Sequence, residues 1–204
     1  MSKTVEFCFD VISPASYIAW HVLPKIAKAA GADLVLTPVF LGGIMQAVDN
    51  RPPGTVKAKG AWMRRDLTRW ASLYGLPYRR NDTFPQNTLH LMRGCVAFAD
   101  RPMLQAYVDA AFKALHVDNR NVQTPEGMVA VLQAAGIAPD TFQAAIQDPT
   151  VKDKLKANTE DAVARGAFGA PTFFVNGELQ FGQDRLWMVA EDLGVNIHAA
   201  LERA

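Results

Sequence analysis

The spacing of apolar and polar positions divides the chain into strands at both ends and helices between them. Thr4 to Asp10 alternates and reads as a strand. Ser13-Pro14 follows as an N-cap with proline at the first helical position, and the helix runs to about Ala30, with Gly31 suited to the residue beyond its end. Leu34 to Phe40 is a second apolar strand, in which Pro38 predicts a strand edge or a strand end. From Met63 the period changes. Met63, Leu67, Trp70 and Tyr74 fall at helical intervals and are closed by Gly75 and Pro77. Leu89, Met92, Val96 and Ala99 repeat that interval, as do Leu104, Tyr107, Ala111 and Leu115 after Pro102. Thr124-Pro125 opens another helix that Gly136 ends, and Val151, Leu155 and Ala162 mark a long one stopped near Gly166. Pro171 to Phe181 reads as two strands joined around Asn176-Gly177, with a C-terminal helix from about Asp184.

Strands at both ends must pair with each other to make a sheet, and the helical middle is then packed beside it. This predicts an α/β chain in which 1–41 and 166–204 form one discontinuous domain and 42–165 is an all-helical insertion.

Composition narrows the function classes. Half the residues are apolar, and 21 Lys plus Arg nearly balance 20 Asp plus Glu. A sizeable core is expected, disorder is excluded, and no global field for nucleic acid or anionic lipid exists. No apolar run approaches the roughly 18 residues of a membrane span. Met1 to Phe9 carries Glu6 within its apolar stretch and lacks a signal-peptide core, so a cytoplasmic address is expected. Cys8 and Cys95 match no metal or redox spacing; both read as small buried apolar residues, and no metal site is expected.

Two segments hold the candidate chemistry: Phe9-Asp10-Val11-Ile12-Ser13-Pro14-Ala15-Ser16 and Gly169-Ala170-Pro171-Thr172-Phe173-Phe174-Val175. Taken singly, the first is a plain helix cap and the second an ordinary start of a strand. Jointly they resemble the thioredoxin superfamily, in which an active-site turn at a helix start faces a cis-proline loop. The helical insertion resembles its disulfide-oxidoreductase branch. The resemblance implies a thioredoxin-like fold with a large all-helical insertion and a cis Ala170–Pro171 bond. Redox members carry Cys-x-x-Cys at the turn, whereas this chain has Ser13-Pro14-Ala15-Ser16, so its turn forms no disulfide. A nucleophilic serine would need a base, and His21, His90, His116 and His198 form no recognisable relay. A hydroxyl at a helix N-terminus suits an anion instead.

The Ser-Pro turn, Asn50-Arg51-Pro52-Pro53, Lys59-Gly60-Ala61-Trp62-Met63-Arg64-Arg65-Asp66 and the stretch from Arg165 to Val175 resemble the 2-hydroxychromene-2-carboxylate isomerases, relatives of the kappa-class glutathione transferases. That resemblance implies glutathione as the source of the sulfur that the chain lacks. It implies a small aromatic acid as substrate, namely 2-hydroxychromene-2-carboxylate interconverting with trans-o-hydroxybenzylidenepyruvate in aromatic catabolism by reversible thiolate addition. A homodimer without nucleic-acid or membrane partners goes with it. Ser13 matches the serine that bonds the glutathione sulfur. Asn50 and Lys59 match polar positions of the peptide and substrate groove. Ala170, before Pro171, would pair its backbone with the cysteinyl unit. Phe181-Gly182-Gln183-Asp184 matches the loop at the γ-glutamyl end, although kappa enzymes often have Ser where this chain has Gln183. Phe84 and Asn87 would line the substrate pocket.

Simpler roles stand beside these. Asp184 suits a cap for the last helix, Asn50 a turn start, Lys59 a solvated surface, and Asn87 or Thr88 a helix cap. Arg64, Arg65 and Arg69 read as a solvated helix face, one of which could meet a substrate carboxylate. Trp62 and Phe84 read as core. Two other functions fit the same residues: a kappa-like glutathione transferase or peroxidase, and a non-catalytic binding module.

Overall fold

Val5, Phe7 and Phe9 point to one side of the first strand and are almost wholly buried, and that side organises the molecule. The structure is a computed structural model that describes residues 3–99 and 103–202; Pro102, read above as preceding a helix, lies outside the described residues. Strand β1 (Thr4–Phe9) leads into α1 (Pro14–Ala30) and back to β2 (Asp33–Pro38), which pairs parallel to β1. After the helical stretch come β3 (Thr172–Val175), antiparallel to β1 with Val5 opposite Val175 and Phe7 opposite Phe173, and β4 (Glu178–Phe181). The sheet order is β2-β1-β3-β4, so the two ends of the chain do build one sheet. Pro38 is the last residue of an edge strand, where its missing N–H breaks no inner ladder.

Local signals explain the turns. Gly31 ends α1 at φ 62°, and its N–H reaches the carbonyls of Ala27 and Lys28. Asn176 and Gly177 sit at φ 49° and 96°, the pair of positive angles that a two-residue hairpin of type I′ demands.

Between the sheet halves run α2 (Leu41–Ala47), α3 (Lys57–Leu73), α4 (Leu89–Ala97), α5 (Met103–His116), α6 (Pro125–Ala134), α7 (Pro139–Gln147) and α8 (Pro149–Ala164). Sequence spacing missed α2, whose Gly42 and Gly43 hide it, and α7, which runs almost directly into α8. There the Asp148 carboxylate caps α8, accepting from the Thr150 N–H at 2.8 Å. The C-terminal helix is two pieces, α9 (Leu186–Asp192) and α10 (Ile197–Glu202). Among the described residues no single helix is long and apolar enough to cross a membrane.

One apolar core joins β1 and α1 to the inserted helices. Phe9 lies 5.4 Å from the ring of Trp20 and 6.4 Å from that of Phe112 on α5. Burying such a side chain contributes roughly 1.5–3 kcal/mol. On the other side of the sheet Cys8, Val39, Ile44, Ala162, Ala167 and Phe174 form a smaller cluster under α2 and α8. Trp62 corrects the sequence reading: it is 55% exposed, not core. Five residues along α3 turn it about 140° from the buried Leu67. Phe84 does pack against the core.

Candidate active site

Ser13 sits at the N-terminus of α1 with extended backbone angles, and its Oγ accepts the Ser16 N–H at 3.1 Å. The same hydroxyl donates to the carbonyl of Ala170 at 2.8 Å. A hydroxyl has one proton, and here that proton is committed to the loop from the far end of the chain. The Ala170–Pro171 bond is cis, as expected; so is Phe84–Pro85, which sequence reading did not anticipate. Ser13 is 5% exposed, and Ser16 is wholly buried with no partner for its Oγ among the described residues.

The turn before Ser13 is fixed by groups that sequence reading overlooked. The Asp10 carbonyl accepts the Ser13 N–H at 3.0 Å. The Asp10 carboxylate is fully buried and accepts from the Ile12 N–H at 3.0 Å, the Leu41 N–H at 2.9 Å and the Thr88 hydroxyl at 2.8 Å. Burial raises its carboxyl above the ordinary carboxylate value, while these three hydrogen bonds act the other way. Val11 donates its N–H to Met92 Sδ at 3.4 Å, and its carbonyl lies 2.8 Å from His116 Nε2. Burial pushes His116 down to about 4, so its ring is neutral at pH 7, and Nε2 carries the proton because a carbonyl only accepts. One signal was readable in advance: Asp10 is a charge within an otherwise apolar run from Phe7 to Ile12.

Around this centre, Asn50 donates Nδ2 to the Phe168 carbonyl at 2.7 Å and accepts the Arg51 N–H at 2.8 Å, so it ties the segment after α2 to the loop before Pro171; it follows a turn at 48–49 and does not start one. The rings of Phe168 and Phe181 are 4.4 Å apart, and Gly182 donates its N–H to the Pro171 carbonyl at 3.0 Å. Gln183 and Asp184 follow on a short 3-10 turn, Gln183 buried and Asp184 paired with Arg185 at 2.7 Å. Asp184 does not cap the last helix, because this turn intervenes and Arg185 precedes α9. Asp66 of α3 has its carboxyl raised by burial and by the nearby Asp184 charge, which places α3 beside this loop.

Ser13, Ala170, Pro171, Asn50 and the Gly182–Asp184 turn thus form one continuous set of contacts. Lys59 is exposed in the first turn of α3, and its side chain makes no hydrogen bond or ion pair among the described residues. Asn87 is exposed, and its side chain accepts the Leu89 N–H at 3.0 Å, the capping role at the start of α4. Of the segment that holds Phe84 and Asn87, Thr88 is bonded to the turn, donating its hydroxyl to Asp10. Arg64, Arg65 and Arg69 are exposed, as their spacing predicted.

Neither cysteine can serve as the nucleophile. Cys8 and Cys95 are buried; burial, followed by the nearby Glu6 charge, pushes Cys8 up to about 12, and burial pushes Cys95 well above its ordinary value. Among the described residues no cluster suits a metal ion. What the site offers is a helix N-terminus and a hydroxyl, which together favour an anion.

Comparison with known proteins identifies the family and the fold. A family model for the DSBA-like thioredoxin domain matches residues 4–194. A 2-hydroxychromene-2-carboxylate isomerase of Sphingobium xenophagum is 31% identical, over 91% of this chain and 95% of its own length. Human glutathione S-transferase kappa 1 is 29% identical, over 95% of this chain and 92% of its own. A solved structure of 2-hydroxychromene-2-carboxylate isomerase superposes with a TM-score of 0.81 at 26% identity, covering 94% of each chain.

Proposed function

Because this chain belongs to the DSBA-like thioredoxin family, in the branch of the 2-hydroxychromene-2-carboxylate isomerases and kappa-class glutathione transferases, we propose that it is a glutathione-dependent isomerase. Its substrates in this reading are 2-hydroxychromene-2-carboxylate and trans-o-hydroxybenzylidenepyruvate. The observation that carries the reading is the Ser13–Ala170 pair: a hydroxyl stands at the helix start, against the loop of the cis proline, where redox relatives hold sulfur.

The donor set fits a small thiol anion. Bound glutathione would supply a thiolate able to add reversibly to a conjugated carbon–carbon double bond. Ser13 would hold the sulfur, the backbone of Ala170 and Pro171 the cysteinyl unit, and Gln183 and Asp184 the γ-glutamyl end. Asn50 and Lys59 would line the groove, with Phe84 and Asn87 on the substrate side. To donate to sulfur, Ser13 must release the Ala170 carbonyl, and the acceptor so vacated suits an amide N–H of the bound peptide. The helix terminus favours an anion by about 0.3–1 kcal/mol and a charged hydrogen bond adds roughly 1.5–3 kcal/mol. At ~1.36 kcal/mol per pH unit, the two lower a thiol from ~8.5 by about 1.5–3. The hydroxyl is therefore required, since the helix alone gives less than one. A cytoplasmic setting and a homodimer belong to the same reading.

The similarity to human glutathione S-transferase kappa 1 keeps a second reading, a transferase or peroxidase using the same sulfur site on another electrophile. Free-thiol counting during turnover separates the two. Isomerisation that needs glutathione while total thiol stays constant supports the isomerase, and thiol consumption in step with product supports the transferase. Calorimetry that detects no glutathione binding overturns both in favour of a non-catalytic module.

A further inference from the structure

We propose that Asp10 is a positioning residue for this site, its buried carboxylate holding the Ser13 turn in register with the α2 start and the segment before α4; the proposal rests on the role given to Ser13 above.

The three hydrogen bonds to the carboxylate come from three separate stretches of chain. Ile12 belongs to the turn, Leu41 is the first residue of α2, and Thr88 immediately precedes α4. The backbone carbonyl of the same residue receives the Ser13 N–H. Asp10 is thus bonded to the turn through both its main chain and its side chain. All four donors are neutral, and no ion pair to Asp10 exists among the described residues. The Cys95 thiol on α4 is close enough to feel its charge.

A buried carboxylate without a cation is costly unless hydrogen bonds compensate it. A carboxylate is acceptor-only on both oxygens, so it alone can take two N–H groups and a hydroxyl at once from three directions. An amide in its place would turn one N–H donor against another. The three stretches it joins are the walls already assigned. The turn bears Ser13, the α2 segment runs on to Asn50, and Thr88 ends the segment that holds Phe84 and Asn87. A misplacement on the order of 1 Å at a reacting group costs on the order of 100-fold in rate, so loss of one of these bonds registers at Ser13.

Thr88→Val removes the hydroxyl donor at nearly constant shape, Thr88→Ser restores it, and Asp10→Asn sets an amide donor among donors. We expect Thr88→Val to lower kcat about tenfold, to raise the pKa of bound glutathione and to change the KM for glutathione less. Thr88→Ser should behave like the parent, and Asp10→Asn should exceed Thr88→Val in the same direction. In ligand-free protein the Ser13 and Leu41 amide resonances should shift in Thr88→Val and stay in place in Thr88→Ser. A folded Thr88→Val protein with parental kcat, bound-thiol pKa and Ser13 resonance overturns the proposal; it decides the matter even if Asp10→Asn does not fold. If the parent neither binds nor uses glutathione, the role given to Ser13 fails instead. The amide resonances of the two Thr88 variants still then decide whether Asp10 places the turn.

Discussion

The Ser13 hydroxyl and the Ala170 carbonyl meet at 2.8 Å across a separation of 157 residues. The same oxygen accepts the Ser16 N–H, so Ser13 is at once a helix cap and a bridge to the opposite end of the chain.

Substituting Ser13 separates these roles. Ser13→Ala loses the cap, worth about 0.5–2 kcal/mol, and the bridge, worth about 0.5–1.5 kcal/mol. Glycine is a tolerable cap, so Ser13→Gly should lose the bridge but only a few tenths of a kcal/mol of cap, and fall between parent and alanine in urea denaturation. Both variants should raise the pKa of bound glutathione by about 1–2 pH units, read from thiolate absorbance. A glycine variant with an unchanged thiol pKa would reduce Ser13 to a structural link.

His116 should make the fold acid-sensitive. Its folded pKa of about 4 lies below the ordinary 6.5, so the unfolded chain takes up a proton that the folded one refuses. The stability it contributes is present above pH 6.5 and falls away as the pH drops towards 4, at about 1.36 kcal/mol per pH unit for one proton. His116→Gln should flatten this limb. Thermal unfolding of both proteins at neutral pH and near pH 4.5 is the check, and parallel losses would assign the acid sensitivity elsewhere.

Both thiols should be silent in the folded protein. Cys8 and Cys95 are fully buried with raised pKa values, so a chromogenic disulfide reagent at pH 8 should find none until urea is added, and then 2. Rapid labelling of the native protein would contradict the buried placement, and with it one ground for the proposed use of an external sulfur.

Much of this architecture was legible because its signals are local. The Ser13-Pro14 start, the Gly31 end and the Asn176-Gly177 hairpin each follow from what one or two residues permit. Ala170-Pro171 was readable only jointly with the Ser13 turn, through family resemblance. The supports were not legible. Nothing near Asp10 in sequence announces Thr88 or Leu41, and nothing near Val11 announces Met92 or His116, because these contacts depend on how the inserted helices pack. Trp62 misled for a related reason: an aromatic residue in a helix reads as core until the buried stripe of that helix is known.

Gly94 marks how closely that packing is drawn. A Cβ there would stand 2.3 Å from Tyr107 Oη and 2.8 Å from the Phe142 ring, so α4 lies against α5 and α7 with no room for a methyl group. Gly94→Ala should destabilise the protein by about 1–3 kcal/mol, measured by the urea midpoint at unchanged slope. An unaffected midpoint would mean that Tyr107, which donates to the Leu91 carbonyl at 3.0 Å, yields without loss.

The pairing of β1 with β3 also sets a timetable. Ser13 leaves the ribosome 157 residues before Ala170 does, an interval of roughly 10–30 s at typical synthesis rates. Closing a loop of that length costs about 4.5 kcal/mol of chain entropy beyond a constant, and the inserted helices must collapse to offset it. The Ser13–Ala170 contact is therefore among the last features that a growing chain acquires. Until the later segment docks, Ser13 caps a helix and does nothing else.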